Sequence, residues 1–233
     1  MRTVRLISFF LISCSGTLAT LLHAQDQAVK QVLFLGDTLH GQIVKEAQNE
    51  LKDQVKVTMP RKPVHDDSGS ALRALDQLVG EASWDLIYFN FGIGDLTYID
   101  PKTKERRLLS NQAGGVRVSS PEVYRKNLEE LVKLLKKTDA KLMWGTTTPL
   151  AKLGYSYRIL DKDSELAYNQ IAAEVMTKAD IPIVDLHSYI SKNLEGNKRP
   201  PNYSSYLKHF SKSETPLQKP LVKAWRRVLD LGK

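Results

Sequence analysis

The sequence predicts a three-layer α/β/α sandwich around a five-stranded parallel sheet. Two observations carry this expectation. Short apolar runs alternate with helix-patterned stretches along most of the chain. Strands separated by helices imply right-handed β-α-β crossovers, a parallel sheet, and cover on both of its faces. In addition, the chain is 42% hydrophobic and 26% charged over 233 residues, which is ordinary for one globular domain and excludes a disordered or fibrous protein.

The elements follow in order. Residues 31–35 (QVLFL) form the first strand candidate, followed by a helical stretch at about 41–51. A weaker strand at 55–58 and a helix at 68–79 come next, then the strong strand 84–91 (WDLIYFNF). Ser119 or Ser120 caps the following helix, with Pro121 and Glu122 in its first turn. Tyr124, Leu128, Leu131 and Leu135 then recur at i, i+4, i+7 and i+11 and make one apolar face. Residues 141–147 are the fourth strand, 163–178 a helix, 181–186 the fifth strand, and 216–229 a terminal helix whose start Pro216 and Pro220 confine. No repeat or low-complexity tract interrupts the pattern.

The N-terminus reads as an export signal. Arg2 and Arg5 precede an almost uncharged run from Leu6 to Leu22, and Ala24 offers a small residue for cleavage before Gln25. The expected division is a signal peptide, 1–24, and a single domain, 25–233. Leu11-Ile12-Ser13-Cys14 also resembles a lipobox that would be acylated at Cys14, and a retained anchor is the third alternative. With a mean hydropathy of −0.33, the rest of the chain holds no apolar stretch long enough to span a bilayer. Loss of 1–24 removes two arginines and no acid from 34 basic and 26 acidic residues, leaving +6, and removes the single cysteine. Thiol catalysis and thiolate metal ligation are then excluded. The positive balance suits anionic polysaccharide or phospholipid headgroups, though a solvated surface with some excess lysine is the plainer reading.

In open parallel sheets, chemistry gathers in loops beyond the carboxyl ends of the strands. Four such places carry suggestive residues: Gly36-Asp37-Thr38 after the first strand, Asp67-Ser68-Gly69-Ser70 after the second, Gly92-Ile93-Gly94-Asp95 after the third, and His209-Phe210-Ser211 ahead of the last helix. In this order and context they resemble the blocks of the SGNH, or GDSL-type, hydrolases, across nearly the whole of 25–233. Thr38 stands where that family has serine, Gly94 where it has asparagine, and Tyr206 where it has the aspartate three residues before the histidine.

The resemblance implies a flavodoxin-like fold and a cofactor-free, metal-free esterase. Thr38 would be the nucleophile and His209 the general base, while the backbone N–H groups of Thr38, Gly69 and Gly94 would hold the oxyanion. Asp37, Asp95 and Asp185 would support them. The threonine methyl stiffens χ1 and crowds the line of attack, Gly94 lacks the amide donor, and a tyrosine is not an anion near neutral pH. The implied activity is therefore weak, altered or lost. The implied substrate is a small-molecule or glycan ester, an acyl or acetyl group on a carbohydrate or cell-envelope component. Envelope contact is peripheral, and export argues against nucleic acid as a partner. The alternative is a catalytically silent module that binds glycan or acts as a scaffold.

Each residue also has a plainer reading. Thr38 would cap the next helix, Asp37 would hold its turn, Gly69 would serve helix–sheet packing, and Asp95 would satisfy backbone donors in its own loop. His209 would pack locally. Asp185 and His187 sit two apart on the expected fifth strand, so their side chains share a face, and Asp185 is the candidate substitute for orienting His209. His40 and His65 read as exposed loop histidines. Two long segments would shape the site: 97–118, with Lys102, Lys104, Arg106, Arg107 and Arg117, and 193–208, expected to act as a flap leading into His209.

Overall fold

The computed structural model describes residues 28–232, apart from 61–65, 104–106, 195–197 and 211–214. The expected signal segment, Cys14, His65, Lys104 and Arg106 therefore lie outside the described residues.

Five parallel strands form the central sheet: β1 (Lys30–Leu35), β2 (Val55–Thr58), β3 (Leu86–Phe89), β6 (Lys141–Gly145) and β7 (Ile183–Val184), in the order β2-β1-β3-β6-β7. The reversal of order falls between β1 and β3. That is the topological switch point, where a crevice opens outside the strand ends.

Side-chain alternation divides the core cleanly. Val32, Phe34, Leu86, Tyr88 and Met143 point to one face, and Leu33, Leu35, Ile87, Phe89 and Trp144 to the other. The first face is covered by α1 (Thr38–Leu51), α8 (Leu186–Asn193), α9 (Tyr203–Phe210) and α10 (Lys219–Val228), through residues such as Ile43, Ile190, Tyr206 and Trp225. The second is covered by α2 (Ser68–Arg73), α3 (Leu75–Val79), α5 (Pro121–Leu135) and α7 (Ser164–Lys178). The face expected on α5 is the buried one: Tyr124, Leu128, Leu131 and Leu135 are all at most 1% exposed. Ser120 is its N-cap, accepting the Val123 N–H, and Pro121 stands in its first turn.

Several local expectations need correction. The helix expected at 68–79 is two helices, α2 and α3, joined at Ala74. The last strand is only two residues long, because Asp185 leaves it to cap α8, accepting the Ser188 N–H. Asp185 and His187 therefore do not share a strand. The segment 97–118 is not structureless: β4 (Tyr98–Ile99) and β5 (Val116–Arg117) pair antiparallel within it, after the short helix α4 (Ile93–Leu96). Arg117 is its anchor, ion-paired to Asp161 and stacked over Tyr98 and Tyr168. The 193–208 segment is not simply a flap either. Its second half is α9, where the Asn202 carboxamide accepts the Ser205 N–H at 2.8 Å and Tyr206 and Phe210 enter the core. The remaining short helix, α6 (Lys152–Ser156), follows β6.

Candidate active site

The backbone leaves β1 through Gly36, where a Cβ would lie 2.8 Å from the Asn90 carbonyl oxygen and 2.8 Å from the Phe34 ring. Only glycine lets the loop pass this close to the end of β3. Asp37 then caps α1: one carboxylate oxygen accepts the His40 N–H at 2.9 Å, and the other lies 3.2 Å from His40 Nδ1. Both side chains are buried. Burial pushes the Asp37 carboxyl up, but the charge and hydrogen bonds of His40, with the backbone N–H of Leu39, outweigh it and hold the group below its ordinary value. Asp37 thus holds the turn, as its plainer reading has it. His40 is a core residue and not an exposed loop histidine, with Nε2 sealed from solvent near Tyr88.

Thr38 is the first residue of α1 and is exposed; the helix cap is Asp37, not Thr38. Its hydroxyl lies 3.5 Å from a carboxylate oxygen of Asp66. Thr38 and Asp66 stand together on the rim of a cavity of about 190 Å³. Gly36, Asp37, Gln42 and Lys45 complete the polar side, and Phe34, Leu35, Met59, Leu78 and Phe91 are part of the apolar wall. This cavity occupies the switch-point crevice.

The second and third glycine blocks interlock behind it. Asp67 caps α2 by accepting the Ser70 N–H at 2.9 Å, which places Gly69 in the first turn. A Cβ on Gly69 would come 3.3 Å from the Asn127 amide nitrogen, so its neighbour is a side chain of α5 and not the sheet. At Gly94 a Cβ would meet the Asp66 carbonyl head-on and stand 2.8 Å from the Asp67 backbone nitrogen. Gly94 is therefore dictated by the backbone of the neighbouring loop.

Asp95 is fully buried. It accepts the backbone N–H of Ser68 at 2.9 Å, the Ser68 hydroxyl at 2.5 Å and the Ser119 hydroxyl at 2.7 Å. Its donors come from the α2 and α5 starts, not from its own loop. Burial raises its carboxyl to about 6, against the lowering effect of the Ser119 and Ser68 hydrogen bonds. A carboxyl raised on folding adds stability that is complete below its unfolded value near 3.8 and is lost as pH climbs through 6. The parent should therefore lose on the order of 3 kcal/mol from this group between pH 4 and 7. Asp95→Asn should flatten that slope in denaturant titrations across the range, whatever its absolute stability. An unchanged slope would show that Asp95 does not carry it.

His209 lies elsewhere. It is exposed near the end of α9, its ring edge-on to Phe210 at 5.0 Å, and it lines a separate cavity of about 350 Å³ with Arg199, Pro200, Pro201 and Ser205. Tyr206, one turn earlier, is a core aromatic: its hydroxyl donates to the Pro149 carbonyl at 3.0 Å, and its ring stacks on Tyr203 and Phe210. Asp185 takes the Thr146 hydroxyl at 3.2 Å and caps α8, with no contact to His209 among the described residues. The structure brings Thr38 and Asp37 to the cavity, keeps Gly69, Gly94 and the buried Asp95 in the neighbouring interlocked loops outside its lining, and places His209 in another cavity and Asp185 at the α8 cap.

Two groups escaped the sequence reading. Asp66 is one; it adjoins the Asp67–Ser70 block and carries no motif of its own. Glu165 is the other, fully buried, 2.8 Å from Arg199 Nη1 and 3.5 Å from His187 Nε2. Burial would raise its carboxyl, but the His187 hydrogen bond and the Arg199 charge lower it overall. His187 therefore has an acidic neighbour, though not Asp185.

No protein-family profile and no curated protein sequence matches the chain. Solved structures do. A lipase/acylhydrolase from Enterococcus faecalis is 16% identical with a TM-score of 0.56, covering 85% of this chain and 96% of its own. A GDSL-like lipase from Bacteroides thetaiotaomicron is 15% identical, TM-score 0.56, covering 86% and 88%. An acetylxylan esterase from Geobacillus stearothermophilus is 13% identical, TM-score 0.54, covering 87% and 95%. At such identities the likeness is one of architecture: this chain has the fold of the SGNH/GDSL-type hydrolases.

Proposed function

We propose that the protein is an exported ester hydrolase that removes acyl or acetyl groups from a carbohydrate or cell-envelope component, with Thr38 as its nucleophile. The observation that carries this reading is the exposed Thr38 hydroxyl on the rim of an apolar-walled cavity at the sheet's switch point. The fold shared with an acetylxylan esterase and an acylhydrolase supports the reaction class. The basic, apolar N-terminal run supports export. Thr38 Oγ1 would attack the ester carbonyl and backbone N–H groups along the rim would receive the oxyanion, each such donor worth about 3–4 kcal/mol where one has been removed. The extra methyl of threonine makes the activity slow. No metal or organic cofactor enters the reaction.

Hydrolysis of p-nitrophenyl acetate by the purified protein should fall at least about a hundredfold in Thr38→Ala and rise in Thr38→Ser. Turnover equal in the parent and Thr38→Ala would refute Thr38 as nucleophile. The placement of His209 in a different cavity favours a second reading, a silent glycan-binding or scaffolding module. That reading expects no turnover in any variant and retention on an immobilised acetylated polysaccharide.

A further inference from the structure

Resting on that reading of Thr38, we propose that Asp66, and not His209, takes the proton from the attacking hydroxyl. Three observations converge. The Thr38 Oγ1 to Asp66 Oδ2 separation of 3.5 Å is at the outer edge of hydrogen bonding, a distance that catalytic pairs commonly shorten when substrate binds. Both residues line the same cavity, whereas His209 lines another, together with Pro200 and Pro201. The backbone of Asp66 is also placed by its neighbours: its carbonyl lies where a Cβ on Gly94 would stand, and the next residue, Asp67, caps α2 by accepting the Ser70 N–H.

This arrangement accounts for the departures from the resembled motifs as one set. The backbone of Asp66 occupies the space a side chain at position 94 would need, so glycine stands there. Tyr206 is free to be a core aromatic, because a histidine that takes no proton needs no carboxylate to orient it.

The chemistry balances. As the Thr38 oxygen forms its bond to the acyl carbon, the O–H bond breaks toward Asp66 and the carbonyl electron pair moves onto oxygen. Asp66 is then neutral, so the oxyanion does not face a second negative charge. Collapse of the intermediate returns the pair to the carbonyl and expels the alkoxide, which takes the proton from Asp66. Water repeats the sequence to release the acid and regenerate Thr38. An aspartate is a weak base at neutral pH compared with imidazole, reference values being about 3.9 and 6.5, so the rate should be low but should persist into acid. Among the described residues, Asp37 and Lys45 from α1 line the same cavity as Asp66, and Asp67 follows it at the start of α2. Asp37 is sealed in its pair with His40.

The test is the pH profile of kcat/KM for p-nitrophenyl acetate, using the full chain and the Asp66→Asn, Asp66→Glu, His209→Ala, Thr38→Ala and Thr38→Ser variants. Asp66→Asn should lose roughly 10²–10⁴-fold, Asp66→Glu should recover part of it, and His209→Ala should stay within about threefold of the parent. The parent should keep its rate down to about pH 5. A hundredfold loss in His209→Ala, or an Asp66→Asn enzyme equal to the parent, overturns the assignment while leaving Thr38 as nucleophile. Full activity in Thr38→Ala, or none in the parent and Thr38→Ser alike, removes the hydrolase reading and this assignment together.

Discussion

His40→Ala should destabilise the protein by about 2–4 kcal/mol, the cost of a core cavity together with the lost hydrogen-bond partner of a buried carboxylate. Asp37 stays buried beside the vacated ring, keeping its backbone donors but losing the imidazole that holds its carboxyl low. Against a typical domain stability of about 5–15 kcal/mol this is a large fraction, equivalent to a drop of roughly 10 °C in Tm for a chain of this size. The pH dependence has a definite sign. A carboxyl lowered on folding adds stability that is present above its unfolded value and lost as pH falls through its folded one. The parent should therefore lose stability on acidification below about pH 4, and His40→Ala should lose less over the same range. A melting temperature within 2 °C of the parent, about the shift one kcal/mol makes, would show that the pair is not structural.

Gly94→Asn separates the motif from the structure most sharply. By resemblance alone, an asparagine here restores an oxyanion donor and raises turnover about 10²–10³-fold. The geometry predicts the reverse. A Cβ at this position meets backbone, namely the carbonyl of Asp66 and the nitrogen of Asp67, and no rotamer relieves it. Overpacking of this kind costs about 1–3 kcal/mol. The relief lies in displacing the Asp66 backbone, which disturbs its spacing from Thr38, and a shift of about 1 Å is worth roughly a hundredfold in rate. Thermal unfolding and ester hydrolysis of the same preparation should both decline; a faster and equally stable variant would show that the loop has slack.

Much of the fold was legible because its signals are local. Continuous apolar runs such as 31–35 and 84–91 mark strands buried on both faces, and the α5 stripe from Tyr124 to Leu135 marks a helix with one face in the core. Helices α8 and α9 were less so. Each is eight residues long and offers a single buried i, i+4 pair, Leu186 with Ile190 and Tyr206 with Phe210. Pro200 and Pro201 also make the approach to α9 look like loop.

At the site, glycines and caps could be read because turn geometry restricts which residues fit. Partners across the chain could not. The Thr38–Asp66 contact joins residues 28 apart and the Asp95–Ser119 bond residues 24 apart, and no periodicity records either. The position of His209 depends on how α9 packs, which is a tertiary property. The core aromatic Tyr206, sitting where the resembled motif has an aspartate, was the one local sign that this block had changed its role.

The proposed hydrolysis requires the Thr38 hydroxyl to be the attacking nucleophile. The direct measurement is covalent labelling with a reactive organophosphonate, followed by peptide mass spectrometry. The account predicts one adduct, on the peptide bearing Thr38, lost in Thr38→Ala and formed faster in Thr38→Ser. An adduct on any other residue, or ester hydrolysis that continues at the parent rate in Thr38→Ala, would contradict it.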